Sequence, residues 1–354
     1  MENTNISWCD HSCSFWRGCT KVSPGCQFCY AESERDGRYG KGEWGPTGVR
    51  SQAADSYIAK FDRMNKVPWV KCLDCGWRGK EVDAGKVCPN CESERMEITY
   101  QRVFVMSLGD FFEESHPSLD LPTLRRQALQ NMATNLNMRY LVLTKRIELV
   151  MPLLDLAFGP NSAADWLKAN PHVMIGTSVE NRDYTWRITE LAKIPTSMRW
   201  VSFEPLLGSI DLASVPGIKA IDWGIIGGES GRFARPMNPA SADRLEAHLD
   251  ALGIATHFKQ NGEWVSLREI GQDLGDGCYL VKPEFHKVAH GARWGEFVPT
   301  GTGGTVFEET DTGWDANALG QQENGLPIMI RIGKRNDPCT LNGTQRREFP
   351  EALQ

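Results

Sequence analysis

An α/β fold whose strands and helices alternate into a full or partial (β/α) barrel is what the sequence predicts. From Arg102 to Gln260, short apolar runs rich in β-branched residues alternate with stretches of helical period. Such runs read as parallel strands covered on both faces. Polar and charged residues follow directly after each run, where the carboxyl ends of barrel strands would lie. A further strand is expected ahead of a cysteine-rich loop near the N-terminus, which brings the count close to a barrel.

Residues 1–35 lead into that loop and then into a helix starting at Tyr30. The glycine-rich stretch GKGEWGPTGVRSQ reads as loop and SYIAKFDRMNKV as a short amphipathic helix. The strands are RVFVMSLGD, YLVLTKR, VMIGTSVEN, RWVSFEP, DWGIIGGES and ATHFKQ. Between them, LPTLRRQALQNMATNLN, residues 147–169, DYTWRITELAKI and SADRLEAHLDAL carry helical period, and the link from Pro205 to Ala220 does so least. Beyond Gly262, glycine, threonine and scattered aromatics replace any helical period, so short strands and long loops are expected. The predicted organisation is a barrel from residues 1–71 and 92–262, an insertion at 72–91, and a loop- and β-rich region at 263–354.

The loop places Cys19, Cys26 and Cys29 in a C-x6-C-x2-C spacing, with Gly18, Pro24 and Gly25 supplying turns. Three thiolates in one short loop can converge on one metal centre. A structural zinc site takes four protein ligands, and Cys9, His11 or Cys13 could complete one. A [4Fe-4S] cluster held by three cysteines leaves one iron open to an exchangeable ligand, as reductive cleavage of S-adenosylmethionine requires. The insertion carries Cys72, Cys75, Cys88 and Cys91 as C-x2-C-x12-C-x2-C, a zinc-ribbon spacing. His286 and His290 lie four apart with no glutamate-bearing zinc motif around them and read as surface residues; Cys278 and Cys339 read as isolated thiols.

The rim residues are Ser107 and Asp110; Thr144, Lys145 and Arg146; Ser178, Glu180 and Asn181; Glu204; Gly227, Gly228, Glu229 and Ser230; and Lys259 and Gln260. Helix capping accounts for Ser107 or Asn181. It does not call for Lys145 or Lys259, and recurrent charge at one rim predicts a polar pocket.

Eleven cysteines behind an N-terminus without a signal-like pattern predict a reducing, cytoplasmic setting with thiols used for metals. No run of about 18 apolar residues predicts a membrane span. A net charge of −6 argues against a broad, sequence-independent grip on duplex nucleic acid but leaves room for a local basic cleft.

The stretches GCTKVSPGCQFCYAE, WGPTGVR, VFVMSLGDFFE, LVLTKR, IGTSVEN, VSFEPLLG, DWGIIGGESGRFARPM and FKQNGEW, in this order, resemble the phage three-cysteine-motif family of radical-SAM-like proteins. The resemblance implies a radical-SAM-type partial barrel with a [4Fe-4S] cluster on Cys19, Cys26 and Cys29. The chain departs from the family pattern at Ser14-Phe15, where Asn-Pro is usual, and in the tail GKRNDPCTLNG. Its cysteine spacing differs from the C-x3-C-x2-C of most radical-SAM enzymes. Gly227 to Glu229 looks like the motif that binds the methionyl amine, but on a late strand. The expected activity is S-adenosylmethionine-dependent radical chemistry served by an electron donor, with a nucleotide or nucleic-acid base as substrate. Glu180, Glu204, Glu229 and Lys145 are the candidate catalytic groups. Ser107, Asp110, Ser178, Gly227, Gly228, Arg232, Arg235 and Lys259 are the candidate cofactor contacts. The competing expectation is a non-enzymatic adaptor for nucleic acid or a protein partner, in which both cysteine sets hold structural zinc.

Overall fold

The structure is a computed structural model. It describes residues 2–266, the strand segments 271–275, 278–281, 290–293, 295–299, 305–309 and 329–331, residues 337, 339 and 341, and residues 345–353. His286 and the side chains of His290 and Cys278 lie outside the described residues.

Seven parallel strands form one sheet in sequential order: β1 (His11–Cys13), β2 (Gln101–Val105), β3 (Met138–Thr144), β4 (Val173–Ser178), β5 (Arg199–Phe203), β6 (Trp223–Gly227) and β7 (Ala255–Gln260). Helix α1 (Leu121–Thr134) joins β2 to β3, and α2 (Val150–Phe158) with α3 (Ala163–Ala169) joins β3 to β4. Helix α4 (Trp186–Leu191) joins β4 to β5, and α5 (Pro239–Ala251) joins β6 to β7. The link from β5 to β6 holds one short 3₁₀ turn, Ile218–Ala220. The sheet is the partial form of the predicted barrel, with β1 and β7 as its two edges.

Period-two alternation sorts each strand between two cores. Val103, Val105, Tyr140, Val142, Val173, Ile175, Val201, Phe203 and Ile226 pack outward with the helices. Phe104, Leu141, Met174, Trp200, Trp223 and Ile225 pack together on the other face, joined by Trp8. Trp8 meets Phe104 at 4.7 Å and Trp200 at 5.3 Å between ring centroids. Trp200 needs space on the neighbouring strand, and a Cβ added to Gly176 would lie 2.3 Å from its ring. Continued upward, the same alternation turns Lys145, Ser178, Glu204, Gly227 and Lys259 toward the barrel mouth.

The floor of the barrel closes across its open side. The Ser7 hydroxyl and His257 Nε2, on opposite edges, are 2.9 Å apart. Residues 346–348 run antiparallel along β7: Phe258 N donates to Arg346 O and Glu348 N to Thr256 O. Phe349 then packs on Trp223 at 5.5 Å and His257 at 5.3 Å.

Between β1 and β2 lie the cysteine loop, a helix at Asp55–Asn65 and the ribbon. The ribbon is an antiparallel sheet of Arg78–Lys80, Trp69–Cys72 and Met96–Thr99, so it extends past both ends of the predicted 72–91 segment. The C-terminal strands form two antiparallel sheets, of three and four strands.

His257 is fully buried, and burial together with Arg347, Arg102 and Lys259 holds its pKa down at about 3 against an ordinary 6.5. The fold therefore selects the neutral imidazole. Its contribution is complete above pH 6.5 and is lost as pH falls toward 3. Urea midpoints at pH 7, 5 and 4 should fall more steeply for the native chain than for His257→Gln, whose amide can still meet Ser7. Parallel pH profiles would refute this assignment.

Candidate metal centre and barrel mouth

The cysteine loop has little regular structure of its own, so its shape must come from what it touches. Gly18 opens it: Gly18 N donates to Leu108 O at the end of β2, and φ is +98°. A Cβ there would sit 2.3 Å from Glu43 O, so only glycine fits. Pro24–Cys26 form a 3₁₀ turn. Cys29 precedes the helical turn from Tyr30, and the N–H groups of Glu32 and Ala31 approach its sulfur.

Four carboxylate–arginine pairs brace the loop and its flank. Glu113 takes both Arg50 Nη2 (2.7 Å) and Nε (2.9 Å), and the same Arg50 Nη2 donates to Thr20 Oγ1 at 2.8 Å. Asp110 holds Arg146 at 3.0 Å, and Arg146 donates to Thr20 O at 2.7 Å and approaches Cys19 Sγ at 3.6 Å. Glu180 holds Arg187 at 3.1 Å and accepts from Ser23 Oγ at 2.5 Å. Glu229 grips Arg235 through Nε and Nη2, and Arg235 donates to Pro24 O at 3.0 Å.

These contacts show what engages several of the candidate residues. Glu180 is fully buried beneath the loop, where a Cβ on Gly25 would meet its carboxylate at 2.5 Å, and it is not on the lining of the cavity above the barrel. Asp110 is filled by Thr144 Oγ1, Lys145 N, Phe112 N and Arg146. Glu229 and Arg235 are engaged with each other and with the loop. Gly228 lies at a close approach of two strand ends, since a Cβ would fall 1.8 Å from Asn261 O. Asn181 caps the turn ahead of α4 by accepting from Asp183 N.

A cavity of about 150 Å³ remains above the barrel, bounded by Cys19, Cys26, Cys29, Ser107, Lys145 and Ser178. Ser178 Oγ is buried on this lining without a hydrogen-bond partner. Lys145 Nζ is 3.6 Å from Glu180; burial disfavours its charge, but Glu180 and the sulfurs of Cys26 and Cys29 outweigh this and raise its pKa. The Ser107 carbonyl accepts from the Tyr30 hydroxyl at 2.7 Å. Glu204 and Lys259 pair at 2.5 Å, joined by Gln260, and together with Gly227 they form a separate polar shelf outside this cavity. Arg232 is exposed, its guanidinium 5.3 Å from the Phe233 ring.

The two cysteine sets differ in spread. A zinc ion about 2.3 Å from each sulfur requires sulfurs about 3.8 Å apart. In the ribbon, Cys72–Cys91 and Cys75–Cys88 are each 3.6 Å apart, and all four sulfurs lie within 4.8 Å of one another, a group able to hold a metal ion. Among the described residues no other group of three or more ligands is so tight, and the loop cysteines do not form one. The alternative fourth ligands are also turned away. Cys13 packs in the outer core, Cys9 packs against the inner tryptophans, and His11 bonds to Gln101 at 3.1 Å. Burial pushes the Cys19 thiol up to about 12, so any metal ligated by this sulfur would have to displace its proton.

Sequence reasoning gave Arg50 and Arg187 no part and named Arg146 without a role. Arg50 and Arg146 meet partners 63 and 127 positions away, and although Arg187 lies only seven positions from Glu180, no helical or strand spacing marks that pair.

The fold and site define an open parallel barrel carrying a three-cysteine loop at its mouth and a four-cysteine ribbon able to hold a metal ion. The chain matches the model described as "Protein of unknown function (DUF5131)" over residues 3–350 and belongs to that family. No curated protein matches it. Among solved structures it is similar to spore photoproduct lyase complexed with dinucleoside spore photoproduct, at 11% identity and a TM-score of 0.34, over 84% of this chain and 67% of that chain. No helix among the described residues is long and apolar enough to cross a membrane.

Glu180→Ala would leave Arg187 and Lys145 facing a buried space without their carboxylate. Removing one partner of a buried pair costs about 3–5 kcal/mol. Chemical denaturation should show a loss of that size, with Glu180→Gln losing less because it still accepts from Ser23. A loss below about 1 kcal/mol, the range of exposed pairs, would show that Glu180 does not brace the loop.

Proposed function

We propose that this chain is an iron–sulfur, S-adenosylmethionine-dependent radical enzyme of the kind its resemblance to the three-cysteine-motif proteins implies. In this reading it acts on a nucleotide or nucleic-acid base and receives electrons from a separate donor. The observation that carries it is the set of three thiols lining one cavity at the barrel mouth, with no tight four-ligand group around them among the described residues. Cys19, Cys26 and Cys29 would hold a [4Fe-4S] cluster, and Cys72, Cys75, Cys88 and Cys91 a structural zinc.

A cluster with one iron not held by protein supplies the electron for reductive cleavage of S-adenosylmethionine. The chain's own residues bind and orient. Lys145 and the unpartnered Ser178 hydroxyl offer a cation and a donor to a carboxylate or phosphate at the cavity wall. Glu204 and Lys259, with Gln260 beside them, offer both signs of charge to a larger ligand across the mouth. The loop roofs the cavity and limits water, which strengthens these contacts.

Metal analysis after anaerobic reconstitution separates the two sites. Cys26→Ala should lose iron and sulfide and all S-adenosylmethionine cleavage while keeping about one zinc per chain. Cys88→Ala should lose that zinc and loosen the ribbon while keeping the iron. A colourless native protein that binds two zinc ions and no iron would sink the enzyme reading and favour the zinc adaptor.

A further inference from the structure

Of the three loop sulfurs, Cys19 alone has a guanidinium within hydrogen-bond reach among the described residues. Arg146 Nη1 lies 3.6 Å from Cys19 Sγ. Cys26 meets the neutral Ser23 hydroxyl at 3.7 Å, and Cys29 faces backbone N–H groups. Arg146 is buried and cannot swing away. Nη2 donates to Thr20 O at 2.7 Å, Nη1 pairs with Asp110 Oδ2 at 3.0 Å, and its own backbone N–H donates to Thr144 Oγ1 at 2.9 Å. Asp110 is fixed in turn by Thr144 Oγ1 at 2.7 Å and by the N–H groups of Phe112 and Lys145. The Arg146 side chain caps nothing in the short 3₁₀ turn that follows it, so helix capping does not explain it.

We infer that Arg146 is a positioning residue that fixes the Cys19 corner of the loop and, with Asp110 as counter-charge, sets the reduction potential of the cluster held there. The inference rests on the cluster reading above. Reduction adds negative charge to the cluster and its sulfurs. A fixed cation and an N–H donor at one sulfur favour the reduced state and raise the potential. A carboxylate 3.0 Å from that cation partly cancels it, and water that could screen either charge is largely excluded. The Asp110–Arg146–Cys19 relay therefore has two levers of opposite sign.

The test is an EPR-monitored redox titration of reconstituted protein, with iron and sulfide measured in parallel. Arg146→Gln should keep its iron and be reduced about ten-fold less at the native midpoint, a downward shift of about 59 mV for one electron. Asp110→Asn should shift the midpoint upward. A residue that only braces the loop would lower iron content without moving the potential in opposite directions. Unmoved midpoints, or shifts of the same sign, overturn the inference while the native cluster leaves the enzyme reading standing. If Arg146→Gln loses its iron, the sign of the Asp110→Asn shift decides. A native protein that binds no iron fails the cluster reading itself and takes this inference with it.

Discussion

A loop that presents three sulfurs to one cavity has few backbone bonds to spare for its own shape. In this protein the constraint is met by charge pairing. Arg50–Glu113, Arg146–Asp110, Arg187–Glu180 and Arg235–Glu229 link the loop to strand ends around the mouth. In each pair the carboxylate holds a buried or half-buried guanidinium in place, and the guanidinium or carboxylate then reaches the loop: Thr20, Cys19, Ser23 and Pro24. Burying such pairs adds little net stability, because desolvation offsets much of the attraction. Their value lies in geometry. Several donors in fixed directions hold a coil segment to one arrangement.

This bracing gives the mouth two unlike halves. Over β2 to β4, Asp110, Arg146 and Glu180 are engaged in holding the loop, and Lys145, itself 3.6 Å from Glu180, and the buried Ser178 hydroxyl lie on the cavity lining beside them. Over β5 to β7, Glu204 and Lys259 pair with each other on the barrel side. The cavity of about 150 Å³ is smaller than the 300 Å³ or more typical of drug-sized ligands.

The barrel was legible in the sequence because two periodicities are simple to read. Runs such as RVFVM and YLVLT are apolar at every position, as strands covered on both faces must be. The ribbon was legible because the distance between two knuckles is set by the size of one ion. The rim residues were legible as a set but not in their roles. Glu180 and Glu204 stand at equivalent strand ends, yet one is sealed under Gly25 and the other faces Lys259. The difference depends on where a distant loop lies. Arg50 is separated from Glu113 by 63 positions, and Arg146 touches a sulfur 127 positions away. Spacing rules end at a helical turn or a hairpin, and these contacts do not obey them.

The floor of the barrel has an implication for how the chain reaches this state. The outer edge of β7 is covered by residues 346–348, and Phe349 lies against Trp223 and His257. On the opposite edge Ser7 reaches His257, 250 positions away. Segments from near both ends of the chain thus meet at one imidazole. Contacts of such long sequence separation form late, since loop closure must precede them. Until they form, the unpaired edge of β7 and a tryptophan-lined floor are left uncovered. That interval on the ribosome is when the protein is most open to pairing with the wrong strand.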